Sequence, residues 1–285
     1  MAIDLVTKFS NKVDETFTTE SKASLLTNKD YDWSGAHTVK VYKITTAPMN
    51  DYDRDGTKQH VVTEGKAQLS RYGLLAGLDA TTQTMTLRKD RSFTFAIDKL
   101  DADETVQALQ AGTALARQQR EVLIPEIDSY VINQMATNAG HTPMAKELTT
   151  VNIYDEIMAA NAELDNAEAP EVGRVLVVSP DVYLLLKKNK DFLQATDIAQ
   201  DVRFRGVIAM VDGIAVMRVP ANRLPVKCGF LLAHPVATVH PVKLSEFKIH
   251  NDPPFISGDL VEGRVVYDAF ILDNKKDAIY YQATT

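Results

Sequence analysis

The pattern of hydrophobic and polar positions predicts an extended first third of the chain. Residues 38–47 alternate β-branched and polar side chains, which predicts a strand, and residues 81–96 repeat this period of two around a charged tip at 88–91. Residues 1–38 are polar with scattered apolar side chains, which is typical of an arm or a marginal helix outside the core. Because residues 39–98 offer few side chains suited to a core, they need another surface to lie on.

A long amphipathic helix is predicted to follow, beginning at Asp101. Glu104 lies three residues further on, so the pair resembles a capping box. Apolar side chains at spacings of three or four continue to about Ala136, which gives about 36 residues and a length of roughly 54 Å. Pro125 lacks a backbone donor and is predicted to bend this helix.

The rest of the chain alternates between helical and strand patterns, which predicts an α+β fold. A helix over 153–167, a wholly apolar strand at Val175–Val178 and a helix capped by Ser179 form a compact α/β unit. Asp212 and Gly213 mark the turn of a hairpin over 208–220. Further strands are predicted at 229–242, 243–250, 260–272 and 278–282.

Composition excludes several classes of protein. Hydrophobic residues make up 45% of the chain, which excludes a mainly disordered protein. The net charge of −7 excludes a globally basic surface for binding nucleic acid. No run of 18 apolar residues occurs, so no membrane span or membrane partner is expected. The single cysteine, Cys228, excludes an internal disulfide and a cysteine-rich zinc site, which suits a reducing cytoplasm.

The charge is unevenly distributed along the chain. Residues 39–98 contain nine Lys and Arg against seven Asp and Glu, a net charge of +2, so the other residues carry −9. Chance accounts for such a difference readily. The functional alternative is a basic arm that lies on an acidic neighbour.

The sharpest local motif is Asp51-Tyr-Asp53-Arg-Asp55-Gly56, the first half of a calcium-binding loop. The twelfth position, where a bidentate glutamate is required, is Val62, and Glu64 comes two residues too late. The motif is therefore more typical of a polar turn than of a calcium site.

Other candidate residues form no catalytic pattern. Cys228 beside a glycine and an apolar strand is expected to be a core residue, and Arg203 with Arg205 is expected to lie in a solvated or subunit-contacting loop. The sequence therefore predicts no catalytic, cofactor-binding or metal-ligating residue, no cofactor and no enzyme. The scattered histidines are His37, His60, His141, His234, His240 and His250.

Two segments, RQQREVLIPEIDSY at 117–130 and VEGRVVYDAFILDNKKDAIY at 261–280, resemble the major capsid proteins of tailed bacteriophages. The resemblance extends to the order of elements along nearly the whole chain. It implies the phage major capsid fold with these parts: an N-terminal arm (1–38), an extended β-hairpin loop over a neighbouring subunit (39–98), a peripheral domain with a spine helix (99–149), an axial domain (150–241), return strands of the peripheral domain (242–268) and a C-terminal segment (269–285).

The resemblance also implies a function. Copies of the chain would associate into pentamers and hexamers that form an icosahedral shell around packaged double-stranded DNA. Implied partners are other copies, a separate scaffolding protein, a portal and decoration proteins, with only non-specific contact to DNA. The location would be the virion capsid, assembled in the host bacterial cytoplasm. Some relatives crosslink a loop lysine to an asparagine. Lys58, Lys66, Asn251 and Asn274 are available, but no motif supplies the acidic catalyst, so crosslinking is not predicted.

Two alternatives stay open at the level of sequence. A cellular nanocompartment shell would have the same fold and would enclose an enzyme. A metal-dependent hydrolase would use Asp51, Asp53 and Asp55 together with the histidines.

Overall fold

The computed structural model describes residues 21–28, 30, 38–44, 49–55, 60–61, 67–68, 71–72, 80–100, 111–189 and 207–285. The chain divides into two compact units, one of Thr38–Thr86 and one of Met1–His37 with Leu87–Thr285. In the part of the chain that the structure describes, no helix combines the length and apolar character that a membrane crossing requires.

The elements mix helices and strands, as the sequence predicts. The helices are α1 (Ala111–Gln118), a π-helical turn (Gln119–Leu123), α2 (Ile124–Thr137), α3 (Ile153–Asn166) and α4 (Pro180–Lys188). The strands are β1 (Thr38–Ile44), β2 (His60–Val61), β3 (Ala67–Gln68), β4 (Ala80–Thr86), β5 (Lys89–Asp98), β6 (Val175–Val178), β7 (Val207–Val211), β8 (Ile214–Arg218), β9 (Cys228–Ala233), β10 (Thr238–Val239), β11 (Val242–Asn251), β12 (Gly258–Tyr267), β13 (Phe270–Ile271) and β14 (Ile279–Ala283).

The compact α/β unit is built on a five-stranded sheet with the order β14-β9-β6-β8-β7. Strand β6 runs parallel to β8 and antiparallel to β9. All residues of β6 and β9 are buried, which explains their uninterrupted apolar sequences. The predicted turn is confirmed, because Asp212 and Gly213 both have positive φ angles, 48° and 74°, as a type I′ hairpin requires.

The helices beside this sheet also follow the sequence. Helix α3 buries Ile153, Ile157 and Leu164 in one apolar cluster with the sheet. The Ser179 side chain accepts a hydrogen bond from the Val182 N–H at 3.2 Å, which confirms the predicted cap of α4.

A second sheet has the order β11-β12-β5, and its pairing differs from the hairpin around a charged tip at 88–91 that the sequence predicts. Strand β4 pairs with β1, whereas β5 pairs with β12 along its whole length, from Lys89 opposite Tyr267 to Asp98 opposite Gly258. The charged stretch at 88–91 is therefore not the tip of a hairpin between β4 and β5. The reason is that Phe93 and Phe95 pack against the main apolar cluster of the larger unit. Alternation predicts a strand but does not identify its partner.

The start of the long helix at Asp101 stays a prediction. Lys99 and Leu100 are already helical, and the Asp98 side chain accepts the Leu100 N–H at 2.8 Å. Asp101 and Glu104 lie outside the described residues, as do all positions between Leu100 and Ala111.

The predicted irregularity at Pro125 takes the form of a π-helical turn. The Ile124 N–H donates to the Gln119 carbonyl, five residues back, immediately before the proline. Since α1, the π turn and α2 follow one another without a gap, the helix continues through Pro125 instead of ending there. The bend itself stays a prediction.

Candidate functional site

The smaller unit, Thr38–Thr86, is a ribbon of antiparallel strands. Strands β1 and β4 pair in continuous register, from Thr38 opposite Thr86 to Ile44 opposite Ala80. The hydroxyl groups of Thr38 and Thr86 lie 3.1 Å apart at the end of this ladder. A two-stranded ribbon is marginally stable by itself in water, so it gains stability when it lies on another surface.

Apolar side chains of the ribbon unit are exposed to solvent. Tyr42 is 70% exposed and Met49 is 98% exposed. Tyr52 and Tyr72 form an edge-to-face pair with ring centroids 5.1 Å apart, and both rings are more than half exposed. Aromatic residues and methionine are the side chains that protein interfaces favour. The ribbon therefore exposes side chains of the types that protein interfaces bury.

The motif that begins at Asp51, which the sequence analysis interprets as a polar turn instead of a calcium site, lies in this unit. Asp53 is buried, and its N–H donates to the Arg71 carbonyl at 2.9 Å, whereas Asp51 and Asp55 are exposed. Within the described ranges, no three His, Cys, Asp or Glu side chains come together as they would around a metal ion. The other positions of the motif are outside the described residues: Gly56, Val62 and Glu64.

Two basic side chains of the stretch at 88–91, those of Lys89 and Arg91, contact residues of their own subunit. The Arg91 guanidinium contacts the Glu126 carboxylate of α2 at 2.7 Å and 3.5 Å, and this hydrogen bond raises the pKa of Arg91. The Lys89 ammonium lies 4.9 Å from the centre of the Tyr130 ring. Lys89 and Arg91 therefore already have partners within their own subunit, and the placement of the basic segment on an acidic neighbour stays a prediction.

The Asp268 carboxylate holds the backbone of Arg88, the second residue after the ribbon unit ends at Thr86. This carboxylate accepts hydrogen bonds from the Arg88 N–H at 2.9 Å, the Tyr130 hydroxyl at 2.7 Å and the Ala269 N–H at 2.8 Å. Burial and the neighbouring carboxylate raise the pKa of Tyr130, so its hydroxyl stays protonated and continues to donate. Position 88 therefore belongs to the larger unit.

Reversing the charge at Arg91 is expected to weaken the subunit itself. In Arg91→Glu, two carboxylates would face each other where the ion pair with Glu126 now lies, so the midpoint of urea unfolding should fall. The double variant Arg91→Glu with Glu126→Arg restores opposite charges and should recover part of the loss. An unchanged midpoint for the single variant would contradict this expectation, because it would show that the ion pair between Arg91 and Glu126 does not stabilise the subunit.

A buried carboxylate on α2 holds the segment of residues 21–28. Asp128 is fully buried and accepts hydrogen bonds from the Ser21 hydroxyl at 2.6 Å and from the N–H groups of Lys22 and Ala23, both at 3.0 Å. The Arg223 guanidinium lies 3.1 Å from its second oxygen. Four donors from two distant parts of the chain therefore converge on one carboxylate, an arrangement that the sequence analysis missed.

The segment of residues 21–28 also contributes to the core, which corrects its interpretation as an arm outside the core. Ala23 and Leu26 are fully buried. The Asn28 N–H donates to the Thr238 carbonyl at 2.9 Å, and its side-chain amide donates to the Val236 carbonyl at 3.0 Å. Residues 1–20 lie outside the described residues.

The histidines serve local structure where they are described. The His234 ring accepts the Val236 N–H through Nδ1 and lies 3.0 Å from the Val172 carbonyl through Nε2. The His240 Nδ1 lies 2.7 Å from the Asp268 carbonyl, and burial lowers the pKa of His240, which favours the neutral ring. Of the others, His141 stacks on Tyr280, His250 pairs with Glu262, and the His37 and His60 side chains are outside the described residues.

Cys228 is a core residue, as predicted. It is buried at the start of β9, and burial raises the pKa of its thiol to about 12, so the reactive thiolate is scarce at neutral pH. Asn251 and Asn274 are exposed. The remaining candidates lie outside the described residues: Lys58, Lys66, Arg203 and Arg205.

Comparison with known proteins gives the family of this chain. A family model described as phage capsid protein matches residues 72–277, which is well over half of the sequence. The chain therefore belongs to the phage capsid protein family. No curated protein sequence is significantly similar to it.

Solved structures share the fold at low sequence identity. A structure from Mycobacterium phage Che8 is 18% identical, with a TM-score of 0.67, and the match covers 90% of this chain and 89% of that one. The capsid of the cyanophage P-SCSP1u is 14% identical, with a TM-score of 0.65 and coverages of 92% and 86%. A virus-like particle from Pyrococcus furiosus is 13% identical, with a TM-score of 0.56 and coverages of 98% and 100%.

Together, the family and the fold establish a phage major capsid protein with the phage major capsid fold, a structural protein of the virion capsid. The family match favours this function over the nanocompartment alternative.

Proposed function

We propose that copies of this chain associate into pentamers and hexamers, and that these close an icosahedral shell around packaged double-stranded DNA. Contacts between different surfaces of identical subunits close into rings, which gives the capsomers. Each contact can be weak because every subunit makes many of them at once. Membership of the phage capsid protein family supports this proposal.

The observation that carries the proposal is the separate ribbon unit, Thr38–Thr86, with its exposed Tyr42, Met49 and Tyr72. Such a ribbon stabilises little by itself, and its exposed apolar groups gain free energy when a second surface covers them. We assign that surface to a neighbouring copy, so the ribbon unit is the extended loop of the capsid subunit.

We assign the other parts of the chain to the domains of a capsid subunit according to the pairing of their strands. The sheet of β11, β12 and β5 together with helices α1 and α2 would form the peripheral domain, with β5 transferred to it from the loop. The sheet of β6–β9 with α3 and α4 would form the axial domain, to which β14 of the C-terminal segment adds an edge strand. Residues 1–20 would extend as the N-terminal arm.

The implied partners follow from packaging a genome in a closed shell. A separate scaffolding protein would direct assembly in the host bacterial cytoplasm, a portal would occupy one vertex, and decoration proteins would bind the outer surface. The formal charge of −7 suits a container that contacts its DNA only non-specifically, because a strongly basic surface would retain the phosphate backbone.

Shortening the ribbon tests the proposal. Replacement of residues 50–60 by a short Gly-Ser linker is expected to leave the urea unfolding of the larger unit unchanged, because the ribbon is a separate unit. The same variant should lose most of its particle yield in sedimentation. A matched control is Met144→Ser, which removes a similarly exposed side chain outside the ribbon and should assemble normally. Normal assembly of the shortened variant would contradict the proposed role of the ribbon.

A further inference from the structure

The turn between β11 and β12 presents one aromatic ring entirely to solvent. Phe255 is fully exposed, and its φ angle is 79°, in the left-handed region that residues with a side chain rarely adopt. Strained positions of this kind persist where the surrounding structure enforces them, and they concentrate at functional sites. An aromatic ring held at full exposure in a strained conformation is therefore a candidate for a contact with another molecule.

The turn that carries Phe255 is braced. The Asp252 N–H donates to the Gly258 carbonyl at 2.8 Å, and the Ile256 N–H donates to the Pro253 carbonyl at 3.2 Å. Pro253 and Pro254 directly precede the aromatic residue and fix two further φ angles. A side chain held out by a rigid frame loses little conformational entropy when it binds, which is the property of an interface anchor.

A depression lies on the solvent-facing side of the same sheet. Its volume is about 430 Å³, and the short side chains of Ser92 and Thr94 form part of its lining. The longer side chains of Lys248 and Arg264 line it as well. The carboxylates of Glu246 and Glu262 line it too, so two cations and two anions border a space that is wide enough for an aromatic ring.

The Arg264 guanidinium is held in a fixed orientation by Asp90. Its Nε lies 3.0 Å from Oδ1 of Asp90, and its Nη2 lies 2.6 Å from Oδ2. This two-point contact holds the guanidinium plane by its edge, while the side chain stays more than half exposed. A guanidinium fixed in this way offers its flat face to an aromatic ring.

The ring cannot come from the same copy. Arg264 lies six residues beyond Gly258 along β12, which is roughly 20 Å at the rise of a β-strand. We propose that Phe255 of one copy occupies the depression of a neighbouring copy and stacks on the face of Arg264. The ring of Phe255 and the depression are different surfaces, so the contact is heterologous, which is the type of contact that builds rings of copies when its rotation closes. This inference rests on the proposed shell.

Cysteine crosslinking tests this contact directly. Phe255→Cys and Thr94→Cys are combined in one chain, and assembled particles are oxidised with copper phenanthroline. A ladder of disulfide-linked multimers is expected on a non-reducing denaturing gel, with neither single variant giving one. Cys228 is buried and serves as the internal control. Assembled double variants that stay monomeric on the gel would overturn the proposal, and so would dimers from Phe255→Cys alone, which would indicate contact between two turns.

A second measurement does not depend on crosslinking. Phe255→Ala should raise the protein concentration needed for assembly by about tenfold, as expected for loss of an interface anchor. Val226→Ala removes another highly exposed apolar side chain and should change it less than twofold, by roughly the effect of a neutral surface substitution. Equal behaviour of both variants and the wild type would overturn the contact alone. Failure of the wild type to assemble would instead refute the proposed shell.

Discussion

Replacing Asp128 with alanine is expected to destabilise the subunit by about 3–5 kcal/mol, the range for breaking a buried ion pair from one side. The change removes the acceptor for the Ser21 hydroxyl and for the N–H groups of Lys22 and Ala23. It also leaves Arg223, whose side chain is only 19% exposed, without its carboxylate. Urea unfolding of the dissociated subunit, followed by circular dichroism, measures the loss.

Two controls separate the role of the carboxylate from the general effect of a substitution. Ser21→Ala removes one of the four donors and should cost about 0.5–1.5 kcal/mol, or somewhat more because the acceptor is charged. Asp155→Ala removes an exposed carboxylate from the first turn of α3 and should cost about 0.3–1 kcal/mol. If Asp128→Ala and Asp155→Ala unfold at the same urea concentration, Asp128 does not hold the segment of residues 21–28.

Arg174→Ala is the second substitution expected to have a large effect, about 2–5 kcal/mol of unfolding free energy, the range for truncating a large, fully buried side chain to alanine. The guanidinium is 1% exposed and lies just beyond the end of α3. It donates to the carbonyls of Ala169 at 2.6 Å and Pro170 at 2.9 Å, and to the Asn161 side chain at 2.5 Å. Its contact with Asp165 at 2.7 Å completes the set. The arginine thereby ties the last turns of α3 to the start of β6.

The substitution Arg174→Lys separates the contribution of the hydrogen-bonding geometry of the guanidinium from the contribution of its positive charge. A lysine keeps the positive charge near the carboxyl end of α3 but has a single ammonium group, which cannot replace a planar fork with several directed donors. Arg174→Lys should therefore lie between the wild type and Arg174→Ala in the same urea titration. A lysine variant as stable as the wild type would show that the charge alone accounts for the contribution of Arg174.

The elements that the sequence predicts well are those with short-range signals. The apolar run at Val175–Val178, the Ser179 cap and the turn at Asp212 and Gly213 each contain their own physical cause within a few residues. The structure confirms all three. Such local signals predict strands β6, β7 and β8 of the five-stranded sheet.

Pairing across the chain is what the sequence does not predict. Strand β5 alternates as a strand should, but nothing local distinguishes β12 from β4 as its neighbour, so the sequence alone predicts that residues 89–98 belong to the extended loop. The choice depends on where Phe93 and Phe95 become buried, which is a property of the assembled core.

One missed residue carried a usable signal. Asp128 lies four residues after Ile124 and four before Ile132, on the face of α2 that both residues bury. A carboxylate at such a position must be paired, because burying an unpaired charge is costly. The partners of Asp128 lie about a hundred residues away on either side, so their identity required the structure.

The central claim, that this chain builds a closed shell from copies of itself, is tested most directly by electron microscopy of the purified protein together with its sedimentation profile. The account predicts closed particles of uniform size, with fivefold and sixfold capsomers, formed by the protein alone or together with a scaffolding protein. A strictly monomeric protein at every salt and protein concentration, and with a scaffolding protein present, would contradict it.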